Sequence, residues 1–218
     1  MVLLNRVWWQ KNGLRVAVHV SALIPFLLLA RDYALGLFLV DPVREITTRT
    51  GRTALILLLL TLACTPVASL TGWRRVIGVR RTLGLYTVFY VGLHVLTFVG
   101  LDYAFDWTLM LADLDQQKYV LVGAGAAFLL GLLALTSTRG WQRRLGRNWK
   151  RLHRLIYLIG VLVVVHYSWL SKDPRGPLKA AAVLAVLLFL RLSPVRHVLR
   201  RARAKVYPTF LVRTNRPA

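Results

Sequence analysis

Five histidines are the side chains in this sequence best suited to chemistry, and four of them fall within or beside strongly apolar stretches: His19, His94, His153 and His166. An imidazole in such a setting serves as a metal ligand, a proton carrier or a polar contact between helices. The fifth, His197, sits in a basic tail and reads as a solvated residue. Cys64 is the lone cysteine, so neither a disulfide framework nor a cysteine-rich metal site can form within one chain. The sequence has no Gly-rich phosphate loop, no H-E-x-x-H and no G-x-S-x-G.

The elements that must position these histidines are membrane spans. Of the 218 residues, 56% are hydrophobic, and the mean hydropathy is +0.54. The pattern predicts an all-α, polytopic bundle of six transmembrane helices at about 14–30, 53–70, 82–101, 119–137, 152–170 and 178–192, followed by a basic cytoplasmic tail over 193–218. The last span is short and needs bilayer thinning or snorkelling of Lys179 and Arg191. Nothing at the N-terminus reads as a cleaved signal; His19 and Pro25 mark the first apolar segment as a mature span. Asp41-Pro42 predicts a capped, short surface helix ahead of the second span. No internal repeat is evident.

Charge gives the orientation. With the first connection outside, 22 of the 30 basic residues fall on inside segments and all eight acids on outside ones. The positive-inside rule then selects an N-in, C-in, multi-pass membrane protein. The net charge of +22 flanks apolar spans, so the basic residues face membrane lipid and no nucleic-acid partner is expected. Trp73, Trp107, Trp141, Trp149 and Trp169 stand near span ends, as an aromatic belt does.

No carboxylate lies within a predicted span, which leaves the histidines as the intramembrane chemistry. His94 falls about 10 Å, and His166 about 6 Å, from the outer ends of their spans. Both spans run from inside to outside, so the two imidazoles can meet at one level and supply both axial ligands of a heme iron. The bland alternative is two separate imidazoles, each bonded to a neighbouring backbone or hydroxyl. His153, at the inner edge of the fifth span, lies about 20 Å below His166. It marks either a second redox centre or an amphipathic entry to the bilayer. His19 is within reach of His153, or else serves the helix break at Pro25. Arg80 and Arg81 open the third span as topology signals that suit heme propionates or a flavin phosphate. C-x-x-C-H is absent, so any heme is non-covalent.

At these residues the chain resembles the heme-binding membrane subunits of periplasmic protein-methionine-sulfoxide reductase systems, in the ferric-reductase-like transmembrane group. The carriers are Leu23-x-Pro25-Phe26 after His19, Asp41-Pro42-Val43, Thr50-Gly51-Arg52-Thr53, Thr65-Pro66 and Arg80-Arg81-x-Leu83-Gly84-Leu85 with Leu93-His94. They continue through Thr136-Ser137-Thr138, Trp149-x-x-Leu152-His153 and His166-Tyr167-x-Trp169, so the likeness covers nearly the whole chain. The resemblance implies heme b on His94 and His166, with His153 also involved, and an FMN. It implies electrons drawn from the quinol pool or a cytoplasmic flavin reductase. It further implies delivery to a periplasmic molybdopterin-containing methionine sulfoxide reductase catalytic subunit that repairs oxidised proteins. Two-heme ferric reductases carry a second histidine on the third span where this chain has Arg80 and Arg81. Two rival classes remain at this stage: a histidine-dependent proton or metal transporter, and a cofactor-free membrane anchor for a soluble enzyme.

Overall fold

The computed structural model describes residues 2–114, 116–192, 194–195 and 197–198. Among these it is all-α, with no strand. The helices are α1 (Val2–Ala34), α2 (Pro42–Thr71), α3 (Arg75–Leu96), α4 (Trp107–Leu114), α5 (Lys118–Leu135), α6 (Arg139–Leu145), α7 (Arg147–Leu152), α8 (Leu155–Leu170) and α9 (Arg175–Phe189). A π-helical turn, Thr97–Asp102, continues α3.

Among the described residues, five helical segments are long and apolar enough to cross a membrane: Asn12–Ala34, Pro42–Thr71, Arg75–Asp102, Lys118–Leu135 and Arg147–Leu170. The expected sixth span is α9, whose 15 residues rise only about 22 Å against a hydrocarbon core of about 30 Å. Most of the basic tail lies outside the described residues; His197, which is described, is exposed.

The expected surface helix at Asp41-Pro42 and the second span are one 30-residue helix. Asp41 caps it, its carboxylate accepting from the Arg44 N–H at 2.9 Å. The polar stretch that looked like a break stays helical because its hydroxyls bond back one turn. Thr47, Thr50 and Thr53 donate to the carbonyls of Val43, Ile46 and Arg49. Gly72, at φ 77, ends the helix in the left-handed conformation, its N–H bonded to the Ala68 carbonyl.

The core is a ring of four helices. α2 packs on α3, α3 on α5 and α5 on α8; α9 links α8 to α2, and α1 covers α3 and α2. α3 and α8 stand across the ring from each other with almost no direct contact. One buried cluster joins α2, α5, α8 and α9 around Leu62 and Ile159, both fully buried. A second joins α1, α2 and α3 around Tyr90 and Cys64.

Lipid is as apolar as leucine, so burial alone does not hold such a bundle; close packing and satisfied backbone groups do. Two prolines interrupt the ladders, and a side chain from elsewhere in the chain bonds the backbone beside each. At Pro25 in α1, the Tyr90 hydroxyl accepts from the Phe26 N–H at 3.0 Å and donates to the Ala22 carbonyl at 2.6 Å. His19, the residue expected to serve this break, turns instead to Tyr86. At Pro66 in α2 the missing N–H strands the Leu62 carbonyl. The Arg191 guanidinium donates to that carbonyl and to the Tyr157 hydroxyl, and lies over the Tyr157 ring. Arg191 was expected to snorkel outward. It runs inward because a bare carbonyl awaits it there.

Pro66→Ala restores the missing N–H, so Arg191→Met should lower the melting temperature less in that background than in the native one. A double-mutant cycle should show a coupling of about 1 kcal/mol; additive losses would disconnect the two residues. Cys64 is 2% exposed, so it should resist maleimide in mild detergent and react once SDS unfolds the bundle.

Candidate functional site

His94 projects from α3 and His166 from α8, the two helices facing each other across the ring. Their ring centres are 6.3 Å apart and the ring planes are nearly perpendicular, at 88°. The His94 Nδ1 lies 2.9 Å from the Thr47 carbonyl on α2. The His166 Nδ1 lies 2.8 Å from the Tyr119 carbonyl on α5. A carbonyl only accepts, so each Nδ1 carries the proton, and each Nε2 of a neutral ring keeps its lone pair. Neither Nε2 has a hydrogen-bond partner among the described residues.

This arrangement fits an iron held between the two rings. A metal–imidazole bond is about 2.0 Å and a ring nitrogen lies about 1.1 Å from its ring centre, so two opposed bonds place the centres about 6.2 Å apart. A ligating histidine is normally oriented by a bond from its other N–H to a carbonyl or carboxylate; both rings have one. Among the described residues no group of three or more His, Cys, Asp or Glu side chains suits a bare metal ion. A two-histidine donor set matches a metal whose other positions a macrocycle fills.

The sequence reading singled out the histidines and missed their supports, which are Thr47, Gly51, Tyr119 and Gly123. In both halves the carbonyl precedes its histidine by 47 residues, and a glycine follows that carbonyl one turn later. The two helix pairs, α2 with α3 and α5 with α8, thus repeat one device. Residue types do not reveal it, because a carbonyl belongs to every residue. The available signal was a glycine inside each apolar helix.

His153 occupies the turn between α7 and α8. Its ring stacks on Trp149 at 4.1 Å, its Nδ1 is 3.2 Å from the Trp149 carbonyl and its Nε2 is 3.4 Å from the Ser137 hydroxyl. Trp149 donates to the Thr136 carbonyl at 2.9 Å, so it braces His153 as well as standing at a span end. His19 lies 2.9 Å from the Tyr86 hydroxyl, and the structure does not pair it with His153. Arg80 and Arg81 diverge. Arg81 is exposed, whereas Arg80 turns into the bundle, within electrostatic range of Arg191, Tyr157, Cys64 and His153.

The end of the bundle where α1 stops and α2 starts holds a buried acid that the sequence reading left in a loop. Asp32 is the last buried residue of α1 and accepts from Arg31 at 2.7 Å and Arg49 at 2.6 Å. Arg49 also pairs with Glu45 and lies over Phe38. This network ties α1 to α2 just above the Thr47 carbonyl.

Residues 50–164 match the family described as ferric reductase like transmembrane component. A protein of Xanthomonas campestris pv. campestris (strain B100) is 47% identical over 80% of this chain and 83% of its own length. One from Xanthomonas axonopodis pv. citri (strain 306) is 48% identical over 80% and 83%. One from Rhodospirillum rubrum is 42% identical over 87% and 92%. Each is named protein-methionine-sulfoxide reductase heme-binding subunit MsrQ. By the match of its span-bearing core and by the extent of these identities, the chain belongs to the ferric-reductase-like transmembrane family, alongside the MsrQ heme-binding subunits.

Proposed function

We propose that this chain is the heme b subunit of a protein-methionine-sulfoxide reductase system and carries electrons outward across the bacterial inner membrane. The observation that carries this reading is the pair of imidazoles from opposite helices, 6.3 Å apart, each anchored outward through Nδ1. His94 and His166 would hold the iron. When bound, heme would supply one-electron chemistry, with His94 and His166 as the side chains that hold its iron. The relatives' printed names support the same cofactor and the same system.

The remaining roles follow from this frame. We take the topology as N-in, C-in, with the termini and the Arg139–Arg154 connection on the cytoplasmic side. The count of basic and acidic residues across the connections supports this. Electrons come from the quinol pool or a cytoplasmic flavin reductase, and the acceptor is a periplasmic molybdopterin-containing catalytic subunit that reduces methionine sulfoxide. Arg80, with Arg81 at the rim, would offer a cation to the phosphate of an FMN at the inner end. His153 and His19 serve that inner half. His153 is about 20 Å below His166 along the helix rise and helps pass electrons upward.

Reduced-minus-oxidised spectra of the purified protein test the core assignment. His94→Ala and His166→Ala should each abolish the low-spin b-type signal of the outer centre. His153→Ala should leave that centre's α-band in place, since its ring lies at the opposite end of the span. An unchanged spectrum in both His94→Ala and His166→Ala would remove the assignment.

A further inference from the structure

Glycine is a poor residue for a helix interior, yet α2 and α5 each place one against a histidine ring of the site. The reason lies in helix geometry. Each Cα–Cβ bond tilts toward the N-terminus, so a side chain stands over the turn before it and screens the carbonyl four residues back. The carbonyls used here, Thr47 and Tyr119, are four residues before Gly51 and Gly123. A Cβ at Gly51 would come within 3.0 Å of the His94 Nδ1 and 3.1 Å of its Cε1. A Cβ at Gly123 would come within 2.7 Å of the His166 Nδ1 and 2.8 Å of its Cε1. Other glycines inside α3 and α5 lack this relation: Gly78, Gly92, Gly125 and Gly131 would meet nothing within 4 Å.

We propose that Gly51 and Gly123 are positioning residues that tune the iron held by His94 and His166. Each keeps a main-chain carbonyl open to an imidazole N–H, and so fixes the ring's rotation, its tautomer and its basicity. The inference rests on the heme reading of the two histidines. An imidazole whose N–H is bonded to a carbonyl is a stronger electron donor to the metal at its other nitrogen. Such a ligand favours the oxidised iron and holds the potential down. The bond is made to main chain, so no side-chain substitution at Thr47 or Tyr119 removes the acceptor. The glycines are positions through which the bond can be altered; on α2, Thr50, whose hydroxyl also donates to the Thr47 carbonyl at 3.1 Å, is another.

The test compares full-length Gly51→Ala, Gly123→Ala and Gly78→Ala with the native protein and with His94→Ala and His166→Ala. Gly51→Ala should keep a b-type spectrum while its midpoint potential moves positive and its low-spin g-anisotropy changes. Gly123→Ala, with the closer contact, should show a larger shift or lose the low-spin signal. Gly78→Ala, exposed on α3, should titrate as the native protein does. Proton ENDOR of the native protein in H2O and D2O reads the same contact without substitution and should show exchangeable Nδ1 protons held in hydrogen bonds. Native potential and g-values in both site glycine variants would overturn the proposal, as would Nδ1 protons that behave as unbonded. Persistence of the b-type spectrum in both histidine variants is a different result, and it would sink the heme reading itself.

Discussion

Two hydrogen bonds, from the imidazole N–H groups of His94 and His166 to main-chain carbonyls, set the geometry of everything around the site. Each bond fixes which nitrogen is free, and the free nitrogens belong to rings on helices that barely touch. The acceptors sit on α2 and α5, the other two members of the ring. Every helix of the four therefore has a position to keep: two carry the rings and two orient them. Rotating any one would break a carbonyl contact or part the pair. Close Gly–imidazole packing makes the same demand sterically that the bonds make electrostatically.

The electrostatic design separates charge from chemistry. Among the described residues the acids lie at the outer ends of the helices, and Asp32, the buried one, is neutralised by Arg31 and Arg49. The opposite half holds half-buried arginines, Arg80 and Arg191, within range of each other, and Arg80 is also within range of His153. Cations at one end and paired charges at the other favour anionic groups at the arginine-bearing end. The apolar middle is left to neutral imidazoles, whose presence in hydrocarbon costs far less than a charge.

Much of this was legible in the chain, for reasons that differ by residue. The spans were readable because hydropathy over about twenty residues is a strong signal, and the depth match of His94 and His166 followed from a constant helical rise. Helix rotation was not readable at that precision, so the meeting of the rings, as distinct from their level, needed the fold. Thr47 and Tyr119 act through carbonyls and leave no mark of residue type. Gly51 stood inside a recognised motif, but its use is apparent only once His94 lies against it. Arg191 looked like a snorkelling cation because the stranded Leu62 carbonyl is a property of Pro66, more than a hundred residues away in sequence. Trp149 looked like one more belt residue until its indole was found stacked on His153. The continuity of α2 was hidden by a run of threonines and arginines that a window average counts as loop.

The mended prolines bear on how the protein comes to exist. Alone in lipid, α2 would hold an unmet carbonyl at Leu62, a standing penalty where no water is at hand. Its partner Arg191, and Tyr90, which bonds the backbone beside Pro25 of α1, arrive on segments made later by the ribosome. Early helices are thus left incomplete until their successors dock, and a truncated chain carries exposed polar defects. Such defects are a natural flag by which membrane quality control can tell an unfinished bundle from a finished one.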